Sequence, residues 1–127
     1  MQTVADEDIA GIESVLENLA AEVEGILATL VLTRAGLPIC SKLAKDDVDE
    51  AYLSASLGTL LSVTVELSDK VFMHQPSRVI VDTKLGSMIL RAINEDILIV
   101  IIFKKQHLGS ILLILEYAAG RIAQLLS

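Results

Sequence analysis

DVDEAYLSASLGTLLSVTVELSDKVFM, residues 47–73, reads as one long helix with two faces that each ask for a partner. Leu53, Leu57, Leu60, Leu67 and Val71 recur in alternating steps of four and three, with Thr64 in the same series, and form one apolar stripe at helical spacing. That stripe needs a core. Ala51, Ala55, Gly58 and Ser62 follow the same spacing on the other side, and side chains this small let another backbone approach closely. Few helices remain in 127 residues to supply both contacts. The small-residue face is therefore read as a subunit interface of a twofold homodimer, with internal packing or a solvated face as the alternatives.

Outward from this helix the chain punctuates itself. Asp46 or Asp47 is placed to cap it, Asp49 and Glu50 fall in its first turn, and Pro76 blocks its continuation. Before it, Ile26 to Thr33 and Leu37 to Leu43 read as strands joined at Arg34-Ala35-Gly36, where glycine can take a positive φ, and Pro38 marks the second strand as an edge. After it, Arg78 to Asp82, Ser87 to Ile93 and Ile97 to Lys104 read as a meander turning at Thr83-Lys84-Leu85-Gly86 and at Asn94-Glu95-Asp96. ILIVIIF at 97–103 is apolar throughout, as a central strand covered on both faces must be.

A helix from Asp6 to Glu24 opens the chain, with Thr3 and Asp6 as candidate caps, Ile9, Ile12, Leu16, Leu19 and Val23 towards the core, and Gly25 as its stop. A helix from Leu108 to Leu126 closes it, with Leu108, Leu112, Leu115, Ala119, Ile122 and Leu126 inward. The order α-β-β-α-β-β-β-α over residues 1–127 implies a single α+β domain. Its five-stranded antiparallel sheet carries the terminal helices on one face and the central helix on the other.

Composition supports association. The chain is 53% hydrophobic with mean hydropathy +0.61, more apolar surface than one small core readily hides. No uninterrupted apolar run approaches the roughly 18 residues of a membrane span, so no transmembrane segment is expected. A lone Cys40, expected in the core, and the lack of a basic then apolar leader at Met1 to Ala10 favour a reducing, cytoplasmic setting. The net charge of −7 is carried by Asp6, Glu7, Asp8, Glu13, Glu17, Glu22 and Glu24, and the remaining ten acids and ten bases cancel. The acidic first helix is either a strip that steers a basic partner or a solvated face whose acids suit the helix dipole. With no basic patch and only 3% aromatics, nucleic acid is not an expected partner.

The search for catalytic chemistry returns nothing. His74 and His107 lie far apart at helix boundaries without Cys or paired acids at ligand spacing, so no metal site is expected. Asp46, Asp47, Asp49 and Glu50 lack calcium-loop spacing. The sequence holds no GxSxG elbow, HExxH or phosphate-binding glycine loop, so no enzyme, no cofactor and no GTPase of its own is expected.

The element order, the hairpin Arg34-Ala35-Gly36-Leu37-Pro38-Ile39, the small-residue stripe and the Leu108-Gly109 helix start together resemble the Roadblock family of dynein light-chain-type proteins and MglB-like bacterial regulators, over roughly Ala5 to Leu126. The resemblance implies a dimer, with itself or with a paralogous Roadblock protein, in which central helices pair and sheets join edge to edge. The joining strand would be Arg78, Val79, Ile80, Val81 and Asp82. It also implies binding of a small Ras-like GTPase over the paired helices, with Tyr52, Ser56, Thr59, Val63, Glu66 and Lys70 as contact candidates. Hydrolysis could be stimulated by repositioning the GTPase's own groups or by a donated arginine, Arg34, Arg78, Arg91 and Arg121 being the visible donors and repositioning the preferred route. The alternatives are a structural adaptor that bridges proteins without sensing nucleotide, and a homodimer that docks a basic protein on its acidic first helix.

Overall fold

The chain folds as α1 (Asp6–Glu22), β1 (Ile26–Thr33), β2 (Pro38–Leu43), α2 (Glu50–Phe72), β3 (Arg78–Asp82), β4 (Gly86–Ala92), β5 (Ile97–Lys104) and α3 (Leu108–Leu126). This is a computed structural model that describes residues 4–45 and 48–127. The strands form one antiparallel sheet in the order β2-β1-β5-β4-β3. β5 is apolar along its length because it sits in the middle with both faces covered. Ile97, Ile99, Ile101 and Phe103 meet the layer of α1 and α3, whereas Leu98 and Val100 meet α2. Pro38 stands at the start of an outer strand, as its missing N–H requires.

Several boundaries move by local chemistry. α1 has Ala5 at its N-cap with no side-chain bond, so Asp6 is not a cap but sits in the first turn with Glu7 and Asp8, where carboxylates suit the dipole. Thr3, Asp46 and Asp47 lie outside the described residues. The cap of α2 is Asp49, whose Oδ1 accepts the Tyr52 N–H at 3.1 Å, so the helix starts at Glu50. It ends with Met73 in the left-handed region (φ 55°), donating its N–H to the Asp69 carbonyl at 2.9 Å, before Pro76 is reached.

The terminal helices bury wider stripes than expected. Val15 joins Ile12, Leu16, Leu19 and Val23 in the core, and Ile111 and Ala118 join Leu115, Ala119 and Ile122. The reason is that α1 and α3 pack on each other as well as on the sheet. α3 is long and apolar enough to cross a membrane by length and composition alone, but here its buried stripe belongs to the sheet core. Glu116 of α3 ties that layer to the β3–β4 edge of the sheet. It accepts from Arg91 Nε at 2.9 Å and Nη2 at 3.2 Å, and from Arg78 Nη1 at 3.5 Å. These bonds, above all the one from Arg91, hold its carboxyl below the usual glutamate range against an opposing effect of burial.

α2 departs most from its expected role. Leu57 and Leu61 are buried with Leu30, Leu32, Leu90, Leu98 and Val100, and Leu53 and Leu60 are half-buried against them. Leu67 and Val71, read as the continuation of that core stripe, are exposed. The helix starts beside β2, where Ser41 Oγ bonds Glu50, and delivers the chain to β3 at the opposite edge. Its 23 residues make about 34 Å of helix, against roughly 19 Å between the outer strands of a five-stranded sheet. The last turns outrun the face they would cover.

Gly58 fixes the near end. A Cβ there would lie 2.8 Å from Gly36 Cα and 2.9 Å from Gly36 N, while one on Gly36 would lie 2.9 Å from Ala55 Cα. The close approach allowed by the small-residue stripe is thus made at Gly58 by the β1–β2 turn of the same chain, not by a second helix. Ala51, Ala55 and Ser62 remain exposed.

Gly58→Ala should lower stability by about 1–3 kcal/mol in urea unfolding, the range of overpacking, with Gly58→Leu worse; an unchanged midpoint would remove the turn contact from the account. Glu116→Gln should lower stability at pH 7 by less than about 1 kcal/mol, since the group is partly exposed to solvent. Because the folded pKa is depressed, that difference is present above the unfolded pKa and should vanish as pH falls through the lower folded value. A difference that persists at pH 2 would show that the bonds to ionised Glu116 are not its source.

Candidate functional site

The outer side of α2 is the surface with most to offer a partner. Tyr52, Ser56, Thr59, Val63, Glu66 and Lys70 are all exposed on one side of the helix, Tyr52 at 73%. Three of them are internally tied: Lys70 pairs with Glu66 at 3.2 Å, and Thr59 Oγ1 donates to the Ala55 carbonyl at 3.0 Å. Beside this row the chain leaves apolar side chains in water. Val63, Leu67 and Val71 are each about 60% exposed, and Phe72 and Met73 reach 75% and 86%. Every residue from Asp69 to Gln75 is exposed. A small protein seldom leaves so continuous an apolar run uncovered unless another chain covers it. Helical spacing alone did not show this, because where α2 is seated is set by its contact with the distant β1–β2 turn.

The sheet is open beside that run. β3 is an outer strand with Val79 and Val81 half-buried towards the α2 face and Arg78, Ile80 and Asp82 exposed on the other. On the α2 face, Val81, Met88 and Ile102 line a mostly apolar hollow of about 220 Å³ rimmed by Leu85, which is itself almost fully exposed. It lies at the end of the sheet remote from the Arg34–Gly36 turn, the end that α2 leaves bare. Asp82 is engaged by Lys105 Nζ at 2.8 Å and by Ser87 Oγ at 2.6 Å, which hold its carboxyl below the usual range. β3 therefore has a free hydrogen-bonding edge with side chains already fixed in place.

The remaining candidates do not converge. His74 is exposed in the α2–β3 connection and His107 is the N-cap of α3, without a side-chain bond. Cys40 is half-buried in β2 rather than fully in the core, and burial, with Glu13 and Glu50 adding to it, pushes its thiol up to about 12, so it is neither a nucleophile nor a ready thiolate ligand. A larger hollow, about 740 Å³, lies between the end of α1 and β2, with Glu22, Glu24 and Lys42 on its walls. It is a broad opening on the other side of the sheet, away from the exposed helix surface. On α1, Glu17 pairs with Lys42 at 3.1 Å. Arg91 and Arg78 are held by Glu116, and the turn carrying Arg34 packs against α2 itself. Among the described residues the arrangement offers surfaces for macromolecules and no set of groups aimed at one reacting atom.

A family model described as Roadblock/LC7 domain matches residues 12–103. Among solved structures the chain is similar to Myxococcus xanthus MglB, with TM-score 0.88 and 14% identity over 97% of this chain and 92% of that one. It is similar also to the gliding protein MglB of Thermus thermophilus, with TM-score 0.87 and 16% identity over 98% and 94%. The likeness to MglC from Myxococcus xanthus has TM-score 0.65 and 23% identity over 90% and 98%. At these identities the likeness is one of fold. No curated protein matches the chain.

If the outer face of α2 is surface rather than core, alanine at Tyr52, Ser56, Thr59 or Glu66 should each change unfolding stability by no more than about 0.5 kcal/mol. Leu57→Ala and Leu61→Ala should each cost about 2–5 kcal/mol. Denaturant titration of the six variants checks the division, and a costly outer-face alanine would contradict it.

Proposed function

The chain belongs to the Roadblock/LC7 domain family, and from that premise we propose that it is a dimeric, non-enzymatic regulator or effector of a small Ras-like GTPase. The observation that carries the reading is the uncovered apolar run from Val63 to Met73 beside the free edge of β3. In an antiparallel β3–β3 pairing about a twofold axis, the end of one sheet to which Gly58 pins α2 comes beside the bare end of the other. The overrunning turns of each α2 then lie towards the hollow of Val81, Met88 and Ile102 in its partner, and Leu60, Thr64, Leu67 and Val71 face the paired helix. Of the small-residue positions, Ala51, Ala55 and Ser62 stay available to the assembly, and Gly58 acts by holding α2 in place.

In such a dimer the rows of Tyr52, Ser56, Thr59, Val63, Glu66 and Lys70 form one outward platform of mixed character, suited to a regulated contact. The platform carries no arginine, and Arg78 and Arg91 are bound to Glu116. Stimulation of hydrolysis, where it occurs, works by repositioning the GTPase's own catalytic groups. The proposal includes a cytoplasmic setting, which suits a free cysteine.

Two measurements test it in sequence. Leu67→Glu with Val71→Glu should convert a dimer to a monomer of unchanged helicity in light scattering and circular dichroism; a wild-type chain that is monomeric at high concentration would overturn the assembly. The affinity of the wild-type chain for a small Ras-like GTPase from the same genome should then be at least tenfold tighter for the GTP-analogue form than for the GDP form, about 1.4 kcal/mol. Equal affinities would replace regulation with an adaptor that does not sense nucleotide, because only differential affinity shifts a two-state switch.

A further inference from the structure

Arg34 is held in a fixed turn where its charge meets no acid among the described residues. Its backbone N–H donates to the Asp96 carbonyl at 2.9 Å, the Gly36 N–H to the Thr33 carbonyl at 2.9 Å, and the Leu37 N–H to Thr33 Oγ1 at 3.1 Å, while Gly36 rests on Ala55 and Gly58. From this fixed turn Arg34 lines a crevice of about 340 Å³ at the end of the sheet. Gln75 and Ser77 of the α2–β3 connection, Arg91, and Asn94 and Glu95 of the β4–β5 turn also line it.

The two arginines of the crevice differ in state. Arg91 directs Nε and Nη2 at Glu116 and Nη1 at the Ala92 carbonyl, so each of its three nitrogens is engaged. Arg34 forms no ion pair among the described residues, and its Nε–H is buried without an acceptor. A buried donor without an acceptor forfeits the hydrogen bond it had in water and is destabilising. A guanidinium recovers that cost most fully by turning its planar fork onto a carboxylate or phosphate through two parallel N–H···O bonds.

We propose that the Arg34 crevice is a binding site for a small oxyanion, a carboxylate or phosphate group held by the Arg34 fork. Glu95 on the wall opposes such a ligand by like charge, and Arg91, already neutralised by Glu116, adds little attraction. Affinity for a free ion is therefore modest, and the site discriminates by bidentate geometry more than by net charge. This site is separate from the α2 platform and stands whether or not a GTPase binds there.

The test follows arginine Nε–H resonances of the full 15N-labelled chain during titration with sodium phosphate in one arm and sodium acetate in the other, at constant ionic strength. The Arg34 resonance should move saturably, with a dissociation constant on the order of 1 mM, while those of Arg78, Arg91 and Arg121 stay nearly still. Movement with phosphate alone assigns a phosphate site, with acetate alone a carboxylate site, and movement with both a general oxyanion site. Arg34→Lys, which keeps the charge without the fork, should weaken binding about tenfold in isothermal titration, and Glu95→Gln should strengthen it. No movement of Arg34, a common drift of all the arginines, or equal affinity in Arg34→Lys would overturn the proposal.

Discussion

The contact of Gly36 with Gly58 sets the rest of the structure. Two backbones meet there with no side chain between them, so α2 is seated against the turned end of β1 and β2 and cannot slide to the middle of the face it covers. Packed interiors adapt poorly to such offsets, and the consequence propagates. Leu57 and Leu61 close a small core with Leu30, Leu32, Leu90, Leu98 and Val100, and the opposite end of the same face is left with a hollow at Val81, Met88 and Ile102.

The two faces of the sheet are accordingly unequal. On one, α1 and α3 pack on the sheet and on each other, and Arg91–Glu116 ties α3 across to β4. On the other a single helix covers part of the strands and then continues without a floor. The first face behaves as a finished core. The second behaves as half of one, and that inequality, with no convergent catalytic groups among the described residues, is why the chain is understood through the surfaces it presents.

Much of the fold was legible from residues. Pro38 identified an edge strand through its missing donor, ILIVIIF identified the central strand, and Gly36 identified a turn through its positive φ. The site was legible in part. The spacing of Tyr52, Ser56, Thr59, Val63, Glu66 and Lys70 placed them on one exposed side of α2, but the same arithmetic sent Leu67 and Val71 into the core. Helical period says which residues share a side and does not say how far the neighbouring element extends. Gly58 was read as open to a second helix because a small residue announces close approach without naming what approaches.

The sequence by itself determined the element order, the strand at the centre, the edge marked by Pro38, and the two-sided character of the central helix, because these follow from local backbone preferences and from periodicity along one element. Only the tertiary structure decided that the β1–β2 turn fills the small-residue notch, that the last turns of α2 run past their own core, and that Arg34 forms no ion pair among the described residues. Each of these depends on where a second element, distant in sequence, ends in space, and no pattern within a single segment encodes that distance.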